Sequence, residues 1–352
     1  MAKITATMTR QVVHMLDRIP RIKLANLPTP LEAAPRLADR IGLSRLLIKR
    51  DDLTGLAGGG NKARKLEYDL GEIAAGGFDV VITAGGIQSN HARMTAAAAC
   101  KLGLDVKLVL GGPEFDAYEG NILLDVLFGA EIRYLVDDDA NDSLTLAMEA
   151  WAAELANQGH KPFVVPIGGS TGLGALGYVS ALRELSGQFG GGKVQVIVGV
   201  GSCGTFAGAV LGAKIFMPAA RVIGVSVSRT AAAIRRRAGE IIRESAGLIA
   251  CEVDADELAL ECYDDYFSEY GAITPAGEQA ILAGARLEGI LLDPIYTGKV
   301  MAALIDLTAK KIIDRDIPVI FVHTGGTPII FSFQKELGKS ANCRKIKNDK
   351  TI

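Results

Sequence analysis

Cysteine is sparse and unpatterned: Cys100, Cys203, Cys251, Cys262 and Cys343 form no CxxC spacing and have no histidine cluster beside them. That excludes a zinc site and a disulfide framework, and it reads as a reducing, cytoplasmic setting with no resident metal. Long apolar runs are also missing. No stretch approaches the roughly 18 residues that a membrane span needs, and residues 1–22 carry charges at Lys3, Arg10, Asp17 and Arg18, so neither a span nor a targeting leader is expected. Charge of one sign is lacking too. The formal net charge is -2, and basic residues are scattered except in short runs such as Arg235-Arg236-Arg237, which leaves no footprint for nucleic acid. A small molecule is the expected partner.

What is present is apolar residue in quantity, 49% of 352, enough for one large or two medium domains. Short β-branched runs recur, each followed by a Gly-rich turn and a helical pattern. Strands are expected at 79–83, 106–110, 163–166, 194–198, 222–227 and 318–323, with a small-residue helix over about 91–100. Strands alternating with helices imply crossover units and mainly parallel sheets flanked by helices, an α/β fold. Residues 51–164 hold an alternation of their own, so they are expected to form a smaller domain set into a larger one built from 1–50 and 165–338. The polar, basic stretch 339–352 is expected to fray.

Four stretches carry chemistry. In Gly58-Gly59-Gly60-Asn61-Lys62-Ala63-Arg64-Lys65, three glycines free the backbone just before a helical pattern at Leu66, Leu70 and Ile73. Lys62 then stands at the positive end of a helix dipole, where a cation is disfavoured and the neutral amine needed for Schiff-base chemistry is favoured. A solvated lysine in a basic helical turn is the plainer alternative. A Walker A loop fits poorly, because Ala63 occupies the place of the Ser/Thr. Gln88-Ser89-Asn90-His91 lies between a strand end and a helix, where Ser89 or Asn90 can cap the helix and free N–H groups can take a carboxylate.

The third stretch, Gly199-Val200-Gly201-Ser202-Cys203-Gly204-Thr205, formally matches GxGxxG after a strand. The next strand runs into Ser228 and Arg229 rather than an acid, so a dinucleotide site lacks its ribose partner. A single phosphate held by backbone N–H groups and the hydroxyls of Ser202 and Thr205 fits equally well, with Cys203 chosen for size. The fourth comprises Asp293-Pro294-Ile295-Tyr296-Thr297-Gly298-Lys299 and His323-Thr324-Gly325-Gly326, where Tyr296 can stack on a ring and Thr324 can face a ring nitrogen. Either residue alone is as well read as packing or a turn.

Taken together, these blocks resemble the D-cysteine desulfhydrase and 1-aminocyclopropane-1-carboxylate (ACC) deaminase family, within the tryptophan-synthase-β-like enzymes that use pyridoxal 5'-phosphate (PLP). The likeness runs from about Ile19 to Glu336. It implies a homodimer of two-domain α/β subunits, each with PLP between its domains and a small amino acid as substrate. It makes Lys62 the Schiff-base lysine, sets Asn90 at the ring hydroxyl and Tyr296 against the ring, and gives the phosphate to Ser202, Cys203, Gly204 and Thr205. Thr324 becomes the partner of the pyridine nitrogen, a neutral one that leaves the ring a moderate electron sink. Gln88, Ser89, Asn90, Tyr270 and Thr297 fall at the substrate, and Ser89 and Tyr296 join Lys62 as catalytic residues. Thr297 and Thr324 stand where ACC deaminases carry Glu and Leu, which favours a desulfhydrase acting on D-cysteine, with L-cysteate sulfo-lyase and then ACC deaminase as alternatives. An NADP-dependent oxidoreductase is the reading from another class, with Arg229 on the 2'-phosphate.

Overall fold

The structure is a computed structural model that describes residues 5–71, 73–114, 118–136, 141–267 and 271–341. Of the expected fraying tail, 342–352 lie outside the described residues, while Lys339 and Ser340 close a final helix. The strands are β1 Leu31–Ala33, β2 Leu46–Lys49, β3 Val80–Gly86, β4 Asp105–Gly111, β5 Glu131–Leu135, β6 Pro162–Val164, β7 Val194–Val200, β8 Ala220–Ser226, β9 Glu261–Tyr263 and β10 Val319–Val322. The helices are α1 Ala6–Arg18, α2 Pro35–Ile41, α3 Lys62–Asp69, α4 Ile73–Gly76, α5 Asn90–Leu102, α6 Gly120–Leu127, α7 Asn141–Asn157, α8 Gly172–Phe189, α9 Gly204–Phe216, α10 Ala231–Leu248, α11 Pro275–Glu288, α12 Thr297–Ala309 and α13 Gln334–Ser340.

Among the described residues two sheets form. One has six strands in the order β1-β2-β10-β7-β8-β9, the other four in the order β5-β4-β3-β6. Every pairing is parallel except β1 with β2. The central strands are apolar on both faces because helices cover both faces. On the six-stranded sheet, Val196 and Val198 of β7 face α8, α9 and α10, while Ile197 faces α12 and α2. On the four-stranded sheet, Val81 and Leu108 meet α3 and α5, and Ile82 and Val109 meet Leu144, Met148 and Trp151 of α7.

Each expected strand is present as β3, β4, β6, β7, β8 or β10. The unforeseen β1, β2, β5 and β9 are three to five residues long, too short for a clear period. Three of these lie at sheet edges.

Two devices position the site. The first is a seam of glycines along α8. A methyl group at Gly177 would lie 2.2 Å from the Arg64 carbonyl of α3, and one on Gly208 of α9 would lie 2.2 Å from the Ala175 carbonyl of α8. Only glycine allows backbones to approach so closely, so α8 is a thin spacer between α3 and α9.

The second device is a buried ionic cluster. Asp51, just after β2, accepts from Arg64 Nε at 2.9 Å, from Arg64 Nη2 at 2.8 Å and from Thr29 Oγ1 at 2.7 Å, and Tyr178 of α8 also donates to it. Arg64 reaches Glu184 of α8 with two further bonds of 3.0 Å, and Glu184 also pairs with Lys49 of β2. The Arg64 guanidinium outweighs the cost of burial and holds the Asp51 carboxyl below the usual range.

Removing one partner of a buried pair leaves the other as an uncompensated charge, at a cost of about 3–5 kcal/mol. Arg64→Ala is therefore expected to lower stability by about that amount in denaturant unfolding at pH 7. A carboxyl whose folded pKa is depressed contributes stability above its unfolded pKa, about 4, and loses it as pH falls through the folded value. The gap between variant and wild type should accordingly narrow in acid; a gap that stays constant from pH 7 to pH 3 would speak against Asp51 as its origin.

Candidate active site

Where the carboxyl ends of β3 and β7 approach each other, a cavity of about 510 Å³ opens. Into it converge the start of α3, the 85–91 turn, the 167–170 turn, the 201–205 turn, Tyr296 and Thr324. The crevice beyond the carboxyl ends of parallel strands is where α/β sheets bind ligands.

Lys62 is the first residue of α3, held there by a short bridge between Gly60 and Gly325 and by the Asn61 N–H donating to the Thr324 carbonyl at 3.0 Å. Its Nζ donates to the Gly168 carbonyl at 3.1 Å and stands 3.4 Å from Ser202 Oγ. Burial lowers its pKa to about 8, against the opposing pull of Asp69 and Cys203. One turn on, Lys65 Nζ donates to the same Gly168 carbonyl at 2.5 Å and to Ser170 Oγ at 2.9 Å. Burial, and then the Lys62 charge, push Lys65 well below a normal lysine. Arg64 and Lys65 are thus buried supports behind the cavity rather than part of a solvated basic turn. Asp69, on the same helix, is raised to about 6 by burial, although Thr171 donates to it at 2.6 Å.

The 201–205 turn leads into α9, a helix of 13 residues whose first N–H groups have no partner within the helix. Cys203 adopts φ 73°, a left-handed conformation uncommon for a residue with a side chain. Asn61 Nδ2 donates to Thr205 Oγ1 at 2.9 Å, Ser170 and Ser202 hydroxyls meet at 2.7 Å, and the Gly204 N–H donates to Ser170 Oγ at 3.2 Å. A methyl group at Gly168 would fall 2.2 Å from Ser202 Oγ and 3.4 Å from Lys62 Nζ, so only a bare backbone fits between lysine and turn.

On the opposite wall Ser89 caps α5, accepting from Ala92 N–H at 3.2 Å. Gln88 and Asn90 line the cavity beside it. His91 is a buried part of the same wall, its Nε2 2.9 Å from a Thr83 hydroxyl that itself donates to Val165, and burial holds the ring well below its usual pKa, which favours its neutral form. Tyr296 precedes α12, its Cε1 3.7 Å from where a methyl at Gly201 would sit.

Of the residues expected at the site, Lys62, Gln88, Ser89, Asn90, Ser202, Cys203, Thr205, Tyr296 and Thr324 line this one cavity, while Gly204, in the same 201–205 turn, does not line it. Thr297 is not among the lining residues. Its hydroxyl is committed to Asp293, donating to Oδ2 at 2.7 Å and accepting from the Asp293 N–H at 2.7 Å. Tyr270 lies outside the described residues. The sequence did not point to Gly168, Ser170 or Lys65. The Gly168-Gly169-Ser170-Thr171 run after a strand, and the i, i+3 spacing of Lys62 and Lys65, were the available signals.

The model of the pyridoxal-phosphate dependent enzyme family matches residues 22–325. The chain belongs to that family. It is 43% identical over 332 residues to the D-cysteine desulfhydrases of Salmonella choleraesuis (strain SC-B67) and Salmonella paratyphi C (strain RKS4594), covering 91% of this chain and 98% of each relative. A crystal structure of an ACC deaminase homologue superposes with a TM-score of 0.87 at 40% identity, covering 94% of this chain and 98% of that one. Threonine deaminase isoform 2 from Solanum lycopersicum, 19% identical over 96% of this chain and 95% of its own, shares the fold with a TM-score of 0.68. The fold is that of the tryptophan-synthase-β-like PLP enzymes, and PLP is the family's cofactor.

The residues fit that group. The cavity offers an amine of lowered pKa, a hydroxyl-lined turn at a helix N-terminus suited to a phosphate, and a lining tyrosine beside that turn. With the family known, the dinucleotide reading of 199–204 lapses, in keeping with β8 ending at Ser226 without an acid.

With its pKa near 8, Lys62 is half deprotonated at a pH where an ordinary lysine is almost wholly charged. Its reaction with an amine-directed acylating reagent is expected to rise through a midpoint near pH 8, read by mass spectrometry of the Lys62 peptide. A midpoint at or above 10 would contradict the geometry described.

Proposed function

We propose that the chain is a PLP-dependent carbon–sulfur lyase that converts D-cysteine and water to pyruvate, ammonia and sulfide by β-elimination. The observation that carries this reading is the lowered-pKa amine of Lys62 facing the hydroxyl-lined 201–205 turn across one cavity, in a chain 43% identical to D-cysteine desulfhydrases over 91% of its length. When bound, PLP supplies an aldehyde that captures the substrate amine and a ring that draws off the electron pair left at Cα.

The chain's own residues do the rest. Lys62 is the lysine that holds the cofactor and, once displaced, takes the Cα proton, a role its lowered pKa suits at neutral pH. Ser202, Cys203, Gly204 and Thr205 hold the phosphate with N–H groups and hydroxyls. Asn90 meets the ring hydroxyl, Tyr296 lies against the ring and Thr324 faces its nitrogen. Gln88 and Ser89 bind the substrate carboxylate beside the N-terminus of α5. Tyr270 keeps its proposed place at the substrate. Thr297 acts at one remove, through Asp293. Loss of sulfide from Cβ leaves an enamine that water hydrolyses to pyruvate and ammonia.

Residues 1–50 and 165–338 make a larger cofactor domain and 51–164 a smaller one, a division supported by the four-stranded sheet drawing all its strands from 80–164. The enzyme acts as a homodimer, a reading supported by the exposed Leu127 of α6 and the exposed Phe331. It works in the cytoplasm, in keeping with free cysteines at Cys100, Cys203, Cys251 and Cys262 and with the absence, among the described residues, of a helix able to cross a membrane.

The decisive assay measures keto-acid release from D-cysteine, L-cysteate and ACC side by side over a concentration series. Pyruvate from D-cysteine with the highest kcat/KM is expected, with Lys62→Ala losing at least about a thousandfold in kcat, as loss of a covalent and basic group does. Fastest turnover of ACC to 2-oxobutyrate would overturn the substrate, and full activity of Lys62→Ala would overturn the mechanism.

A further inference from the structure

Behind Asn90 lies a buried arginine that the reaction above does not use. Arg93, one turn along α5, is completely buried. Its Nη1 donates to Asn90 Oδ1 at 2.9 Å and to Asn121 Oδ1 at 2.7 Å, and its Nη2 donates to the Gly59 carbonyl at 2.9 Å. A guanidinium can only donate, so both asparagines must turn their oxygens toward it. Asn121 Nδ2 then donates to the Gln88 carbonyl at 2.8 Å and to Asn90 Oδ1 at 3.0 Å. Asn90 Oδ1 is therefore doubly occupied, and Nδ2 is the atom that Asn90 has left for the cavity it lines. Asn90 can offer the ligand a proton but cannot accept one.

The charge arrangement is unusual. Among the described residues no carboxylate pairs with Arg93, whose acceptors are all neutral amide or peptide oxygens. The charged groups nearest in effect are Asp125 of α6 and Asp293 ahead of α12. Asp125 is buried, both its oxygens lack hydrogen-bond partners, and burial raises its carboxyl well above the usual range, which favours its neutral form. Asp293 already accepts from the N–H groups of Ile295, Tyr296 and Thr297. Burial lowers Arg93 only to about 10, so it remains a cation at neutral pH. A buried cation with no hydrogen-bonded carboxylate is costly to keep, and here its charge acts through Asn90 on whatever faces Nδ2.

We propose that Arg93, with Asn121, is a positioning residue that fixes Asn90 as an obligate donor and biases the site toward an anionic oxygen at that point, the ring oxygen of the cofactor in its deprotonated form. The same guanidinium clamps Gly59 in the loop leading to Lys62, so one group sets both the ring oxygen's partner and the approach of the lysine. This rests on the reading of the cavity as the PLP site.

The test is binding, not turnover. Full-length protein stripped of cofactor is titrated with PLP and with its 3-deoxy analogue, which keeps the aldehyde and phosphate but lacks the ring hydroxyl. Wild type is expected to prefer PLP by about tenfold or more, the size of a charge-assisted over a neutral hydrogen bond. Arg93→Gln should lose most of that preference, binding PLP about tenfold more weakly and the analogue nearly as before. Asn121→Asp keeps the size of the side chain and pairs the cation with a carboxylate; it should lose the same preference, and it decides the matter if Arg93→Gln does not fold. Equal weakening for both ligands in the variants, or no preference in wild type, overturns the proposal and leaves Arg93 a structural tie. Failure of wild type to bind PLP at all overturns the cavity assignment with it.

Discussion

Everything in the site is referred to one buried carboxylate. Asp51 sits at the end of β2, in the six-stranded sheet, and binds Arg64 on α3 through two hydrogen bonds. Lys62 lies two residues before Arg64, so the position and tilt of the amine are set by a pair that never touches the cavity. Such pairs contribute little to net stability but much to geometry, because their bond directions are narrow and breaking them is costly. Glu184 and Tyr178 extend the same cluster onto α8 and so fix α3 against the helix that also supports α9.

The electrostatics follow from burial rather than from net charge, which is close to zero. Lys62 and Lys65 share one carbonyl acceptor, and each is pushed toward the neutral form by its lack of water. His91 is pushed toward its neutral form for the same reason, and Arg93, which among the described residues has no hydrogen-bonded carboxylate, is a buried cation behind the 85–91 wall. The cavity thus presents a hydroxyl-lined turn at 201–205 and the Asn90 amide nitrogen together with an amine of lowered pKa.

The parallel sheets, the helix starts and most of the cavity were legible in the sequence because they reside in contiguous runs. Lys62 follows three glycines, Ser89 precedes a small-residue helix, and Ser202 to Thr205 follow the apolar β7. What was not legible is held by contacts distant in sequence. Gly168 meets Lys62 across 106 residues, and Asn121 meets Asn90 across 31. Thr297 illustrates the opposite case: the family resemblance implied a substrate contact, but Asp293, four residues back, claims its hydroxyl. Cys203 shows a third kind of gap, since a left-handed backbone in a residue with a side chain leaves no mark in composition.

The glycine seam of α8 limits how this protein can be altered. Because Gly177 and Gly208 bring backbone against side chain and carbonyl at distances that leave no room for a methyl, the gap between α3 and α9 cannot be narrowed. A smaller ligand cannot be gripped by drawing these helices together, because the backbones already touch. Redesign toward smaller substrates must therefore work on the walls that are not part of the seam, the 85–91 turn and the segments bearing Tyr296 and Thr324. The support behind Lys62 behaves as a template whose thickness is already at its minimum.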